Sequence, residues 1–263
     1  MKIMIVGAGW LGLPLAERLQ QSGHEVYATT TRAERLPMLT NRCIRALLFH
    51  ADRDPFPPNP NMDLLVLTIP PGRGTDNVVV RHEARHQKVL RALDYQARIV
   101  YLSSTGVYPN TNQRVDESTP PEPVRASGAA MLAGEKVWSG SGLPLTVLRL
   151  AGLVGGDRQP GRWFAGKRNI SGGLDRVNMV HRHDCLRALE RVITDEKLTG
   201  VYNICADEHP VRQDFYRYQA EKYSFALPHF SETELRVGHK IVDNEKFKWE
   251  ARFRYERADP MNF

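Results

Sequence analysis

Cysteine is scarce: Cys43, Cys185 and Cys205 are the only three in 263 residues, and no two are spaced as a CxxC pair. An odd number without a motif argues against a disulfide framework and fits a reducing cytoplasm. No run of five or six like charges occurs either, although Lys and Arg outnumber Asp and Glu by 36 to 30. A net charge of +6 spread this way describes a solvated basic surface or a channel for an anionic cofactor or substrate, and gives no ground for nucleic-acid binding. The uncharged stretch Ile3 to Ala16 is too short to span a bilayer, has a glycine-rich centre and lacks the small-residue cleavage pattern of a secretory leader. Neither a membrane partner nor a leader is therefore expected. Low-complexity segments are also absent, and 41% of residues are hydrophobic, which excludes a disordered chain. The length suits one elaborated domain or two unequal ones.

What is present is an alternation of apolar runs and helical periodicities. Lys2 to Val6 reads as a short strand; Leu11, Leu15 and Leu19, with Ala16 alongside, give helical spacing up to Gln21. Pro14 lies in the first turn, where its missing N–H costs little, and Gly23 closes the helix. His24 to Thr29 is a second strand, followed by a loop and a helix start near Arg32. Further apolar runs lie at Ile44 to Phe49, Leu64 to Ile69, Ile99 to Leu102, Leu145 to Leu150 and Val201 to Ile204. Runs buried on both faces are what a parallel sheet requires. Val78 to Tyr95 supplies the clearest crossover helix, with Val89, Leu90 and Leu93 as its apolar stripe. Such right-handed crossovers predict an α/β fold with a doubly wound, mainly parallel sheet. After Ala151 the pattern weakens into the turn-rich loop Gly155 to Gly161 and into helical pieces among prolines and aromatics. The expected division is a dinucleotide-binding Rossmann core over 1–150, then 151–263 holding the last sheet elements and a small C-terminal substrate-side lid subdomain.

Gly7-Ala8-Gly9-Trp10-Leu11-Gly12 follows the first strand and opens the first helix. A GxGxxG in that context is a dinucleotide fingerprint. The first glycine permits the tight turn, the second lets the backbone approach the pyrophosphate, and the third lets helix and strand pack closely. The helix N-terminus then offers N–H groups and a positive dipole end to the phosphates. An NAD-specific site places Asp or Glu at the end of the second strand, whereas this chain reads Ala28-Thr29-Thr30-Thr31-Arg32. Hydroxyls and a guanidinium suit a 2′-phosphate, which points to NADP(H), with NAD(H) as the alternative. Arg32 is either that phosphate contact or an exposed residue at a helix start.

These residues, with Tyr101-Leu102-Ser103-Ser104-Thr105-Gly106-Val107-Tyr108, resemble the extended short-chain dehydrogenase/reductase superfamily, specifically its NAD-dependent epimerase/dehydratase group. Similar phrasing runs along nearly the whole chain: Asp116-Glu117-Ser118-Thr119-Pro120, Leu148-Arg149-Leu150, Asn178-Met179-Val180-His181 with Asp184, and Val201-Tyr202-Asn203-Ile204. Leu150-Ala151-Gly152-Leu153-Val154-Gly155 and Tyr202-Asn203-Ile204-Cys205-Ala206 are similar to a YeeZ-like bacterial subgroup. The resemblance implies cofactor contacts from Gly7, Gly9, Trp10, Leu11, Gly12, Thr30, Thr31, Arg32, Ile69, Pro70 and Ser103. It also implies a serine that holds the substrate oxygen, a tyrosine that exchanges its proton, and a lysine four residues later that lowers the tyrosine pKa. Ser104 matches the serine. Counted from Gly134-Glu135, the tyrosine position is Ser127 and the lysine position is Met131. A serine hydroxyl is a far poorer acid than a phenol, and methionine carries no charge, so hydride transfer by the usual route lacks its proton donor.

Other groups are candidates for that role. Tyr108 either donates a proton or packs, and His181 is a polar substrate contact or an acid/base group. His181, His183 and Asp184 are poorly spaced for joint ligation, and no metal is expected. Arg149 is either a structural hydrogen bonder or a substrate contact. Arg158, Arg162, Lys167 and Arg168 form a solvated loop or an anion site. Two functions remain. One is an NADP(H)-dependent reductase, epimerase or dehydratase acting on a small phosphorylated or nucleotide-linked substrate, using Ser104, Tyr108 and His181. The other is a redox-idle NADP(H)-binding regulator. A homodimer is compatible with either.

Overall fold

The computed structural model describes residues 1–58, 60–72, 77–231 and 238–263. Strand β1 (Lys2–Val6) carries Ile3, Met4, Ile5 and Val6 at zero exposure, as a strand covered on both faces must. Each such burial stabilises by about 1.5–3 kcal/mol. The chain continues through α1 (Gly12–Gln21), β2 (Glu25–Thr30), a 3-10 turn Ala33–Arg35, α2 (Leu36–Thr40), β3 (Arg45–Leu48) and β4 (Leu64–Leu67). Next come α3 (Val78–Arg91), β5 (Arg98–Ser104), β6 (Gln113–Val115), α4 (Ala126–Ser139) and β7 (Leu145–Leu150). The remaining elements are β8 (Gly152–Val154), β9 (Met179–His181), α5 (Arg182–Thr194), β10 (Gly200–Ile204), α6 (Arg212–Lys222), β11 (Lys240–Val242) and α7 (Glu245–Glu250). Among the described residues no helix is long and apolar enough to cross a membrane.

The main sheet has seven strands in the order β10-β7-β5-β4-β1-β2-β3, with parallel pairing of β1 to β2 and β4, of β2 to β3, and of β4 to β5. The chain steps outward from β1 to β3, then reverses to β4 and β5. The doubly wound sheet is therefore present, with its topological switch point between β1 and β4, where open α/β sheets bind ligands. The loop Gly7 to Gly12 leaves β1 at that point.

Two compact units share the chain. The first comprises Met1–Val107, Glu122–Arg149 and Leu189–Val201; the second comprises Tyr108–Pro121, Leu150–Ala188 and Tyr202–Phe263. The second unit has two small parallel pairs, β6 with β11 and β8 with β9. Its core gathers Val154, Val177, Met179, Ala206, Phe215, Tyr216, Phe230 and Phe263.

The buried face of α3 differs from the expected stripe. Val78, His82, His86 and Val89 turn inward, while Leu90 and Leu93 are only half-buried. The imidazoles join a buried polar network with Trp138 and Tyr101. Trp138 Nε1 donates to His86 Nδ1 (2.9 Å), His86 Nε2 lies 3.2 Å from His82 Nε2, and His82 Nε2 lies 3.1 Å from the Tyr101 hydroxyl. That hydroxyl donates to the Met131 carbonyl at 3.1 Å. An accepting Nδ1 puts the neutral His86 proton on Nε2, where it is given to His82. Burial pushes the His82 pKa down to about 4 and that of His86 well below its ordinary value.

Candidate functional site

The three glycines of the first loop do three different things. Gly7 has φ +115°, open to glycine and strained for other residues, and a Cβ there would stand 2.6 Å from Thr68 Oγ1. The Thr68 hydroxyl donates to the Gly7 carbonyl (2.6 Å), stitching the end of β4 to the turn. A Cβ on Gly12 would lie 2.1 Å from the Gly7 carbonyl oxygen, so helix and turn touch backbone to backbone. Among the described residues, a Cβ at Gly9 would meet nothing within 4 Å. That open face is the fit a pyrophosphate lying against the backbone requires. Helix α1 has no side-chain cap and no acidic residue in its first turn, so no carboxylate there competes with a phosphate for the positive end of the helix.

The loop is fastened to the end of β2. Ala8 N–H donates to the Thr29 carbonyl (2.7 Å), and Arg35 Nη1 donates to the Ala8 carbonyl (3.1 Å). Thr30 is 5% exposed, and its Oγ1 accepts the Arg32 N–H at 3.3 Å. The side chains of Thr31 and Arg32 are exposed. Beyond β4, Ile69 is half-buried and Pro70 exposed; the Pro70 carbonyl accepts from Arg85 Nη1 at 3.1 Å. Arg85 also grips Asp52 with two bonds of 2.6 and 2.7 Å, and these hold the Asp52 carboxyl below the usual carboxylate range.

Ser103 and Ser104, adjacent on β5, have different neighbours. Ser103 is buried and its hydroxyl donates to Glu135 Oε1; Glu135 is in turn held by the fork of Arg149, Nε to Oε1 at 3.0 Å and Nη2 to Oε2 at 2.7 Å. All three belong to a buried network tying β5, α4 and β7 together, which gives Arg149 the structural role. Ser104 is half-buried and its Oγ accepts the Gly106 N–H at 3.0 Å, an arrangement that keeps its own proton for donation. Helix α4 begins at Ala126, so Ser127 sits in its first turn, exposed, and Met131 follows one turn later at 7% exposure.

Tyr108 and His181 lie in the second unit, apart from Ser104 in the division of the chain. Tyr108 has zero exposure, and its hydroxyl donates to Asn203 Oδ1 (2.9 Å) while Lys240 Nζ donates to its carbonyl (2.8 Å). His181 is half-buried against Phe263, its ring centroid 5.4 Å away. Its Nδ1 accepts the His183 N–H at 3.2 Å, which leaves Nε2 carrying the proton of the neutral ring. Burial first and the Arg257 charge second lower its pKa. Gly155, at φ +111°, makes room for that ring: a Cβ there would stand 2.6 Å from Nε2. Asp184, fully buried, accepts the N–H groups of Glu256 (3.1 Å) and Arg257 (2.8 Å) and an Arg187 bond, and so fastens the segment after Tyr255. In the basic loop, Arg162 stacks on Phe225 and Lys167 on Phe164.

The sheet order, the switch-point loop and this glycine geometry define a dinucleotide-type Rossmann fold, and comparisons with known proteins agree. A search against models of known protein families finds no match. Protein YeeZ of Escherichia coli K12 is 34% identical over 269 aligned residues, covering 99% of this chain and 97% of its own. A conserved protein of unknown function from Silicibacter pomeroyi shares 25% identity at a TM-score of 0.78, over 99% of this chain and 95% of that one. The UDP-glucuronic acid 4-epimerase of Bacillus cereus, solved with NAD, has the same fold at a TM-score of 0.77 with 18% identity, over 99% and 95% of the two chains. The fold is that of the NAD-dependent epimerases and dehydratases. Within that class, the chain belongs to the YeeZ-like family.

Proposed function

We propose that the first unit holds NADP(H) on the loop Gly7 to Gly12 and that the protein is a reductase, epimerase or dehydratase acting on a phosphorylated or nucleotide-linked sugar. The open face at Gly9, between Gly7, whose Cβ position is taken by the Thr68 hydroxyl, and Gly12, whose Cβ position is taken by the Gly7 carbonyl, carries the reading. The preference for NADP(H) rests on the carboxylate-free end of β2, Ala28 to Arg32. The substrate class is supported by the fold shared with the Bacillus cereus enzyme, whose substrate is a UDP-sugar acid. Bound there, a nicotinamide supplies hydride exchange. Ser104 orients the substrate oxygen with its free proton. Tyr108, buried and bonded to Asn203, is read as a packing residue of the second unit, whereas His181, with a protonated Nε2, is that unit's candidate acid/base group.

Ser127 and Met131 favour a second reading, in which the cofactor is bound but not turned over. Purified protein is to be mixed with NADPH and a panel of sugar nucleotides and small carbonyl compounds, following the absorbance of the reduced nicotinamide. Consumption that falls at least about 100-fold in Ser104→Ala supports the enzyme. An epimerase or dehydratase returns its nicotinamide in every turnover, so products are analysed as well; tight binding with neither cofactor consumption nor product formation on any member of the panel, together with a cofactor-dependent change of oligomeric state, establishes the regulator.

A further inference from the structure

The loop-to-strand junction contains a cation that sequence spacing did not single out. We infer that Arg35, rather than Arg32, recognises the 2′-phosphate of the dinucleotide; the inference rests on loop 7–12 being the cofactor cradle. Arg32 continues the extended chain after β2 (φ −119°, ψ 111°) and its side chain is exposed. The 3-10 turn Ala33–Arg35 then reverses the backbone, closed by the Arg35 N–H donating to the Arg32 carbonyl at 3.1 Å. That reversal carries the Arg35 guanidinium back over the glycine loop, where Nη1 donates to the Ala8 carbonyl at 3.1 Å and the side chain is half-buried. Ala8 is the residue between Gly7 and Gly9, and its N–H is pinned to the Thr29 carbonyl. The guanidinium is thus fixed at Ala8, where the loop meets the end of β2. In a fold of this type the adenosine ribose lies at that strand end.

The chemistry suits a phosphate. A guanidinium has five N–H donors in a rigid fork, and the bond to Ala8 uses one. Holding the long side chain by a backbone carbonyl removes much of the freedom that a phosphate contact would otherwise have to quench. Glu34, exposed on the same turn, is the nearest carboxylate in sequence and works against the anion, so the site depends on the anchored cation. Arg35 is accordingly a specificity-determining residue rather than a general brace of the loop.

The test titrates the full-length protein with four ligands: NADPH, NADH, adenosine 2′,5′-bisphosphate and AMP. Arg35→Ala is expected to weaken NADPH and the bisphosphate about 10- to 100-fold while NADH and AMP change less than about twofold. Arg35→Lys, which keeps the charge and loses the fork, falls between, and Arg32→Ala costs at most about threefold. The assignment is overturned if Arg32→Ala carries the larger loss. It is equally overturned if Arg35→Ala weakens NADH as much as NADPH, which would reduce Arg35 to a loop brace acting through Ala8. A wild type that binds both dinucleotides, with an Arg35→Ala variant unchanged toward NADPH, removes the assignment alone. A wild type that binds neither removes the cradle and the assignment together.

Discussion

Gly9→Ala and Gly12→Ala add the same methyl group to one loop and are expected to act differently. At position 12 the new Cβ would stand 2.1 Å from the Gly7 carbonyl oxygen and 3.1 Å from Ile5 Cγ2. The first contact is with backbone and no rotamer relieves it, so α1 has to move away from β1. Overpacking of this kind costs about 1–3 kcal/mol, and at about 2–4 °C of Tm per kcal/mol the expected fall is about 2–12 °C. At position 9 the Cβ meets nothing within 4 Å, and the residue does not have a left-handed φ. Stability should change by less than about 0.5 kcal/mol, aided by the lower entropy of the unfolded chain. That methyl nonetheless occupies the face against which a pyrophosphate would lie. Losing even one charge-assisted backbone bond to the phosphates weakens NADPH about 10- to 100-fold. Thermal melts and a tryptophan-fluorescence titration read both quantities, with Trp10 next to Gly9 as a local reporter. Wild-type affinity in Gly9→Ala, or a Tm loss equal to that of Gly12→Ala, would refute the division of labour among the glycines.

The other expectations concern the buried core of the first unit. Arg149→Met leaves the Glu135 carboxylate buried beside the Ser103 hydroxyl without its cation, and should lower unfolding stability by about 3–5 kcal/mol in urea. Adding Glu135→Leu should recover much of that loss, and a double variant as unstable as the single one would show that the pair is not the cause. His82 and His86 have folded pKa values below 6.5, so the unfolded chain binds protons first as pH falls. Their stabilising contribution is complete above pH 6.5 and is lost on the way down, for His82 by about pH 4, at about 3 kcal/mol for that residue. Urea midpoints between pH 7 and pH 4.5 check this, and a slope unchanged in His82→Gln would contradict it.

The elements that position the loop were legible because their burial is periodic. Lys2 to Val6 and Leu145 to Leu150 form strands over the expected residues, and the alternation of runs and helices yields the doubly wound order. The buried face of α3 was not legible, since histidine reads as polar until Trp138 and Tyr101, brought in from other elements, supply its partners. Glu135 and Arg149 each stood out in sequence, but their pairing depends on α4 lying against β7, which no local pattern encodes. Arg35 was missed for a similar reason: a 3-10 turn of three residues, not spacing along an extended chain, decides where its guanidinium goes. The second unit was the least legible part. Its strands β6, β8, β9 and β11 are three residues each, too short to show alternation.

The claim on which the rest depends is that the loop Gly7 to Gly12 cradles a nicotinamide dinucleotide. Calorimetric titration of the unmodified protein with NADPH and then with NADH tests it without reference to any substrate. Saturable one-to-one binding, tighter for NADPH than for NADH, is the expected result; absence of binding by both dinucleotides would contradict it.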